Sequence, residues 1–112
     1  MAKYSTSDLN RIFSALADPT RRAVLSRLKD HPGLSVTELA RPLSLKLPGM
    51  TKHLEVLSDA GLITRTKTGR TVAVNLCAKP MREAIAWLNR YERFWTVSLD
   101  RLELLVEEDA EQ

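Results

Sequence analysis

The chain has 112 residues, of which 44% are hydrophobic and 28% charged, the size and composition of one ordinary globular domain. Residues 98–112 carry six of the 14 acidic residues and one of the 17 basic ones, so the preceding part holds 16 bases against 8 acids. A basic body with an acidic end favours a polyanionic partner for the body.

Cysteine and apolar content exclude several classes of protein. The single cysteine, Cys77, excludes an intramolecular disulfide and a Cys-rich zinc framework. No stretch approaches the ~20 apolar residues of a membrane span. The first residues lack the apolar core of a secretory signal. A cytoplasmic protein without membrane contact is therefore expected.

Two helices are predicted in the first thirty residues. The segment 7–17 has one apolar stripe at spacings of three and four, formed by Leu9, Ile12, Phe13 and Leu16. A second helix is expected from Pro19 to about residue 29, because Asp18 suits the N-cap and proline suits the first helical position. The segment "HPG" at 31–33 ends it.

Two further helices and a hairpin are predicted next. The segment "SVTE" is a capping box, in which Ser35 and Glu38 bond each other's backbone, and it starts a short helix over about 36–42. A helix over 48–60 follows, and Gly61 suits the left-handed residue after its end. Residues 62–77 alternate and are rich in β-branched side chains around "GR", which predicts a β-hairpin with its tip near Thr68–Arg70.

One long helix is predicted over about residues 79–108. Its apolar stripe contains both tryptophans and extends for roughly 40 Å, at ~1.5 Å per residue. A small domain cannot cover a stripe of that length, so a second copy of the chain is expected to do so. The predicted dimer interface comprises Leu9, Phe13, Trp87, Tyr91, Trp95, Leu99 and Leu102.

The short helix, the tight connection and the helix over 48–60 match a helix-turn-helix, and the hairpin beside them matches a wing. The helix over 48–60 has its apolar residues late and its small, polar and basic residues early, which suits insertion of its start into a DNA major groove. Threonine and lysine there can bond base edges or phosphates. The predicted DNA-contacting residues are Lys46, Leu47, Pro48, Gly49, Thr51, Lys52 and His53, with Lys67 and Arg70 on the wing.

Four residues keep two interpretations each. His53 could make a structural hydrogen bond or contact a base. Arg21 and Arg22 could contact phosphate or pair with Asp18. Cys77 could be a small buried apolar residue or a redox-active thiol between subunits.

Two stretches together resemble the ArsR family of bacterial winged-helix transcriptional repressors. They are "LADPTRRAVLSRL" at 16–28 and "MTKHLEVLSDAGLI" at 50–63, and the resemblance extends over about residues 7–108. It implies a homodimer formed by the first and last helices, an operator with two-fold symmetry, and repression by occlusion of a promoter. The end of the chain resembles a sub-group with a long aromatic last helix.

Many members of that family sense metals, through cysteines beside the first helix of the helix-turn-helix or through Asp, His and Glu on the last helix. Here "VTELARPL" has no cysteine and residues 79–112 have no histidine. His31, His53 and Cys77 are scattered along the chain, whereas a tight transition-metal site needs three or four ligands. Neither a metal nor another cofactor is therefore predicted.

The sequence predicts a mainly α fold, an α+β winged helix with five helices and a two-stranded wing in a single domain. The expected function is a dimeric DNA-binding transcriptional regulator that acts as a repressor. A winged-helix adaptor that binds another protein, or a metal- or redox-sensing repressor, is the alternative. An enzyme is not expected, because the chain has no Ser-His-Asp or Cys-His pairing and no Gly-rich phosphate loop.

Overall fold

The structure is a computed structural model that describes residues 6–111. Within this range the chain forms five α-helices and one antiparallel β-hairpin, and one 3-10 turn lies between the third and fourth helices. This confirms the mainly α winged-helix fold. In chain order the elements are α1 (Thr6–Leu16), α2 (Pro19–Asp30), α3 (Val36–Ala40), the 3-10 turn (Arg41–Leu43), α4 (Leu47–Asp59), β1 (Ile63–Thr68), β2 (Thr71–Leu76) and α5 (Ala78–Glu111).

The starts of α2 and α3 form where the local sequence predicts them. Asp18 has extended backbone and accepts a hydrogen bond from the backbone N–H of Arg21 at 3.0 Å, as an N-cap does. The capping box before α3 is also confirmed. The Glu38 N–H donates to Ser35 Oγ at 3.2 Å, and the Ser35 N–H donates to Glu38 Oε1 at 3.0 Å.

The short helix α3 ends two residues earlier than the predicted span. Pro42 lacks the N–H that would bond the Glu38 carbonyl, so the backbone tightens into the 3-10 turn instead. The side chain of Arg27 reaches the Glu38 carbonyl at 3.4 Å and supplies a replacement donor. Ser44 then takes a left-handed conformation with φ of 54°, which turns the chain toward α4.

The end of α4 is closed by a Schellman motif. Gly61 has a φ of 75°, its N–H donates to the Ser58 carbonyl at 2.9 Å, and the Leu62 N–H donates to the Leu57 carbonyl at 2.9 Å. Leu57 and Leu62 are both buried, so the apolar contact that accompanies this motif is formed within the core. The motif directs the chain from α4 straight into the wing.

The wing is a two-stranded hairpin with a two-residue tip. Its register runs from Ile63 opposite Leu76 to Thr68 opposite Thr71, which leaves Gly69 and Arg70 at the turn. Strand β2 also pairs with the loop before α3. The Gly33 N–H donates to the Val74 carbonyl at 3.1 Å, and the Val74 N–H donates to the Leu34 carbonyl at 2.9 Å. This third segment fixes the wing to the base of the helix-turn-helix.

One apolar core joins all of these elements, and the 3-10 turn contributes the partly buried Leu43. Its buried members are Ile12, Ala15, Val24, Leu28, Leu39, Ala40, Met50, Leu54, Leu57, Leu62, Ile63, Val74 and Ala84. Only the first turns of α5 reach this core, and the ring of Trp87 contacts that of Phe13 on α1 edge-on, with centroids 5.5 Å apart. Within residues 6–111, none of the helices combines the length and apolar character needed to cross a membrane.

Gly61 gives a test of the Schellman motif. A Cβ there would lie 3.1 Å from Pro80 Cγ on a left-handed backbone. Gly61→Ala is therefore expected to lower the free energy of unfolding by about 1–2 kcal/mol, measured by chemical denaturation. Gly49→Ala is the matched control, because its Cβ would meet no atom within 4 Å on a helical backbone. Equal stability of Gly61→Ala and wild type would contradict the assignment.

Candidate nucleic-acid interface

Helix α4 is divided along its length into a buried face and an exposed start. Met50, Leu54 and Leu57 are at most 1% exposed and hold the helix against the core. Because these three residues lie on one face at spacings of four and three, the side chains of Thr51 and Lys52 point away from the core and are exposed. The burial of one face thus determines which side chains of α4 are available to a partner.

The start of α4 carries positive charge and open backbone donors. Lys46 is its N-cap and makes no side-chain capping bond, and the first turn contains no acidic residue. The Leu47 and Gly49 N–H groups lie in the first turn, where a helix supplies no partner for them. Lys46 is also unfavourable beside the positive end of the helix dipole. A phosphate at this position would remove that cost and accept from the open N–H groups.

Little side-chain bulk covers the start of α4. A Cβ added at Gly49 would meet no atom within 4 Å, so the space in front of this residue is open. Pro48 lies in the first turn and is exposed, and Leu47 is 50% exposed, which is unusual for a leucine beside a core. Because so little side-chain bulk lies in front of Gly49, a large partner can approach the backbone closely here.

A groove of about 340 Å³ joins the start of α4 to the wing. Leu47 and Thr51 form one side of it, and Arg70 of the wing tip forms the other. Lys46, Lys52 and Lys67 are exposed. The complete lining is Ser35, Val36, Thr37, Leu47, Thr51, Arg70, Thr71 and Val72.

The hydroxyls of Ser35, Thr37 and Thr71 were missed in the sequence-based prediction of the site. Thr37 lies in the first turn of α3 and Thr71 directly follows the wing tip, so both enter the groove from elements that flank α4. In the sequence these hydroxyl residues lie at a helix start and beside a hairpin tip. Polar residues are common at such positions for structural reasons, so their type and position did not indicate a contact surface. Ser35 is already used by its capping box.

His53 differs from its neighbours on α4, because its ring faces α2. Its Nδ1 lies 3.3 Å from an Nη atom of Arg21 and 3.9 Å from Asp18 Oδ2, and its side chain is 24% exposed. The structural hydrogen bond that the sequence allowed is therefore formed. Arg21 and Arg22 do not pair with Asp18 through their guanidinium groups; these groups donate to carbonyls at the end of α1.

Two carboxyl groups have lowered pKa values. The backbone N–H of Arg21 lowers the pKa of Asp18, with a smaller contribution from the Arg21 charge. The backbone N–H and hydroxyl of Ser35 lower the pKa of Glu38. Both shifts arise from capping, so they report on helix ends and give no indication of acid–base chemistry.

Within residues 6–111, no group of three or more His, Cys, Asp or Glu side chains is placed to hold a metal ion. Cys77 is half-buried with a free thiol, and it lies beside Leu25, Leu62, Leu76 and Met81 in an apolar groove at the base of the wing. Its N–H donates to the Leu62 carbonyl at 2.8 Å. These surroundings suit a small apolar residue.

A second surface lies on α5. Beyond the contact with α1, large apolar side chains remain exposed over several turns, including Trp95 at 63% and Leu99 at 61%. Tyr91 packs on Trp87 with ring centroids 5.1 Å apart, and Phe94 packs on Trp95 at 5.4 Å. Soluble proteins rarely leave a continuous apolar surface of this kind uncovered.

Comparison with known proteins gives consistent results. Residues 16–66 match the family described as a helix-turn-helix domain. The chain is 34% identical over 111 residues to the HTH-type transcriptional regulator Rv2034 of Mycobacterium tuberculosis, covering 99% of this chain and 98% of that protein. It is 28% identical over 80 residues to the transcriptional repressor SdpR of Bacillus subtilis, covering 71% and 88% of the two chains.

Among solved structures, the crystal structure of the ArsR family transcriptional regulator RHA00566 superposes with a TM-score of 0.76. Its sequence is 43% identical, and the match covers 86% of this chain and 97% of that one.

The lowered pKa of Asp18 predicts a dependence of stability on pH. A carboxyl with a lower pKa in the folded state stabilises the fold above its ordinary pKa, and this contribution is lost as the pH falls through the folded value. Asp18→Asn keeps a capping oxygen that does not titrate. Between about pH 6 and pH 3, its free energy of unfolding should therefore fall less than that of wild type, measured by urea denaturation. Parallel curves for the two proteins would contradict this origin of the shift.

Proposed function

Because the chain belongs to the ArsR family of winged helix-turn-helix transcriptional regulators, we propose that it is a homodimeric repressor which grips an operator with two copies of α4 and two wings. The family consists of DNA-binding regulators, which are not enzymes. The observation that carries the proposal is the exposed, basic and uncapped start of α4, which shares one groove with the wing tip.

The start of α4 is proposed to enter the major groove. Thr51 presents a hydroxyl and a methyl group, which suit a phosphate or base edge and a thymine methyl. Lys46 and Lys52 donate to phosphates or guanine. Leu47, Pro48 and Gly49 allow the backbone to approach the DNA closely.

The wing is proposed to lie along the adjacent phosphates or the minor groove. Arg70 at the tip and Lys67 on β1 are both exposed and bring positive charge to this side of the groove. The pairing of β2 with the loop before α3 ties the wing to the helix-turn-helix that contains α4. The two elements therefore contact DNA as one rigid unit.

A second copy is proposed to cover the apolar face of α5 and the adjoining part of α1. Leu9 and Phe13 are half-buried and flank Trp87, so the α1 surface is continuous with Tyr91, Trp95, Leu99 and Leu102 on α5. Two-fold pairing across this face is proposed to bring the two α4 helices to one side of the dimer. An operator with two-fold symmetry, its half-sites roughly 34–36 Å apart, fits this arrangement.

Repression follows if the dimer occupies a promoter and excludes RNA polymerase. The name of the relative SdpR as a transcriptional repressor supports this direction of control. A protein-binding adaptor is the weaker alternative, because the surface around the α4 start exposes Lys46, Lys52, Lys67 and Arg70 around a single exposed leucine.

Lys52→Ala and Arg70→Ala test the contact surface. Each is expected to weaken binding to a DNA fragment that wild type selects from genomic DNA, and each lowers the slope of log affinity against log salt by about 1, since one phosphate contact is lost. Lys29→Ala is the control, because Lys29 is exposed beside the base of the wing and pairs with Asp30 at 3.8 Å. Unchanged affinity in the Lys52→Ala/Arg70→Ala double variant would show that the contact surface is elsewhere.

Trp95→Ala tests the dimer. Trp95 is 63% exposed on the subunit, so truncation cannot create a cavity in the isolated chain but does remove apolar area from the proposed interface. The expected result is an increase in the dimer dissociation constant of about tenfold or more, measured by light scattering across a dilution series. Wild-type protein that is monomeric at micromolar concentration would exclude this interface.

A further inference from the structure

Arg21 connects three helices through one guanidinium group. It lies in the first turn of α2, and its Nε donates to the Ala15 carbonyl at 2.8 Å and one Nη to the Ser14 carbonyl at 3.1 Å. The other Nη lies 3.3 Å from Nδ1 of His53 on α4. Residues 6–16 form α1, which is part of the proposed dimer surface, so Arg21 joins that surface to the proposed DNA-contacting helix.

The bonds of Arg21 and Arg22 to α1 are made to carbonyls of its last turn, and the Ser14 carbonyl among them also accepts the Ala17 N–H at 3.2 Å. The last carbonyls of a helix have no partner within it, and the last turn of α1 contains no basic residue. Arg21 supplies donors to Ser14 and Ala15, and Arg22 supplies one to the Leu16 carbonyl at 2.7 Å. Both arginines therefore cap α1, and Arg21 additionally bonds α4 through His53.

The direction of the bond to His53 is fixed by chemistry. A guanidinium has five N–H donors and no acceptor, so Nδ1 of His53 is the acceptor in this bond. All three nitrogens of Arg21 have partners on the protein. These bonds use three of its five N–H donors and hold the guanidinium between α1 and α4.

We propose that Arg21 is a positioning residue for DNA binding, which acts through His53 and makes no phosphate contact of its own. This inference rests on the proposed function, because it assumes that α4 contacts DNA. His53 directly follows Lys52 and lies two residues after Thr51, so its bond to Arg21 fixes the rotation of the turn that carries both side chains. Arg21 also bonds the Ser14 and Ala15 carbonyls of α1, so it links the orientation of α4 to the helix that forms part of the proposed dimer surface.

The experiment compares variants on the DNA fragment that wild type selects from genomic DNA, across a series of salt concentrations. Arg21→Gln removes the whole connection, and His53→Leu removes only the α4 end of it. Arg22→Gln is the matched control, because it loses a bond to α1 and none to α4. His53→Asn is the conservative variant, since its amide oxygen can accept where Nδ1 does.

Arg21→Gln and His53→Leu are each expected to lower affinity about tenfold, since each removes a charge-assisted hydrogen bond. The double variant should be within about twofold of the weaker single variant, because both changes break the same connection. The slope of log affinity against log salt should stay at the wild-type value, because no phosphate contact is lost. Arg22→Gln should bind within about twofold of wild type, and His53→Asn should recover most of the affinity lost in His53→Leu.

Arg21→Gln also removes two caps from α1, so circular dichroism and light scattering establish that each variant is folded and paired. His53→Leu and His53→Asn both leave those caps intact, so comparing their affinities tests the proposal even if Arg21→Gln does not fold. A slope lowered by about 1 in Arg21→Gln would identify a phosphate contact and overturn the proposal. Equal affinities of His53→Leu and wild type would overturn it as well. Wild type that binds no genomic fragment would instead contradict the proposed function itself.

Discussion

Met50, Leu54 and Leu57 pack into the core, and this contact decides which side chains of α4 face outward. All three are at most 1% exposed, and rotating the helix to present another face would expose them at about 1.5–3 kcal/mol each. The start of α4 is therefore presented by the same burial that stabilises the fold. This one packing constraint leaves the open backbone groups and the lysines at the start of α4 exposed. It also turns Leu47 and Thr51 toward the groove that α4 shares with the wing.

The segment between α1 and α2 adds a second constraint in very few residues. Asp18 caps α2, while Arg21 and Arg22 turn back to cap α1, so both helix ends are closed by residues 18–22. Because Arg21 also contacts His53, the orientation of α4 depends on α1 as well as on the core. In the proposed dimer, which forms through α1 and α5, such a link would help the two α4 helices to keep a fixed spacing.

The sequence predicted those features whose signals are local. The cap at Asp18, the capping box and the Schellman motif each lie within about six residues, so short patterns were sufficient. The side-chain partners of Arg21 could not be predicted in this way, since they lie between six and 32 residues away along the chain. The pairing of residues 33–35 with β2 and the entry of Thr37 into the groove also depend on tertiary packing. For the candidate site, the sequence therefore predicted the surface that is proposed to contact DNA, but not the contacts that orient it.

The most direct measurement of the central claim is a pair of amide spectra of the isotopically labelled protein, recorded with and without the selected DNA. If burial of one face of α4 presents its start to DNA, the largest chemical-shift changes fall in residues 46–52 and 67–70, and the amides of the exposed stripe of α5 change little. Largest changes along α5, with the start of α4 unaffected, would show that the protein meets its partner through another surface and contradict the account.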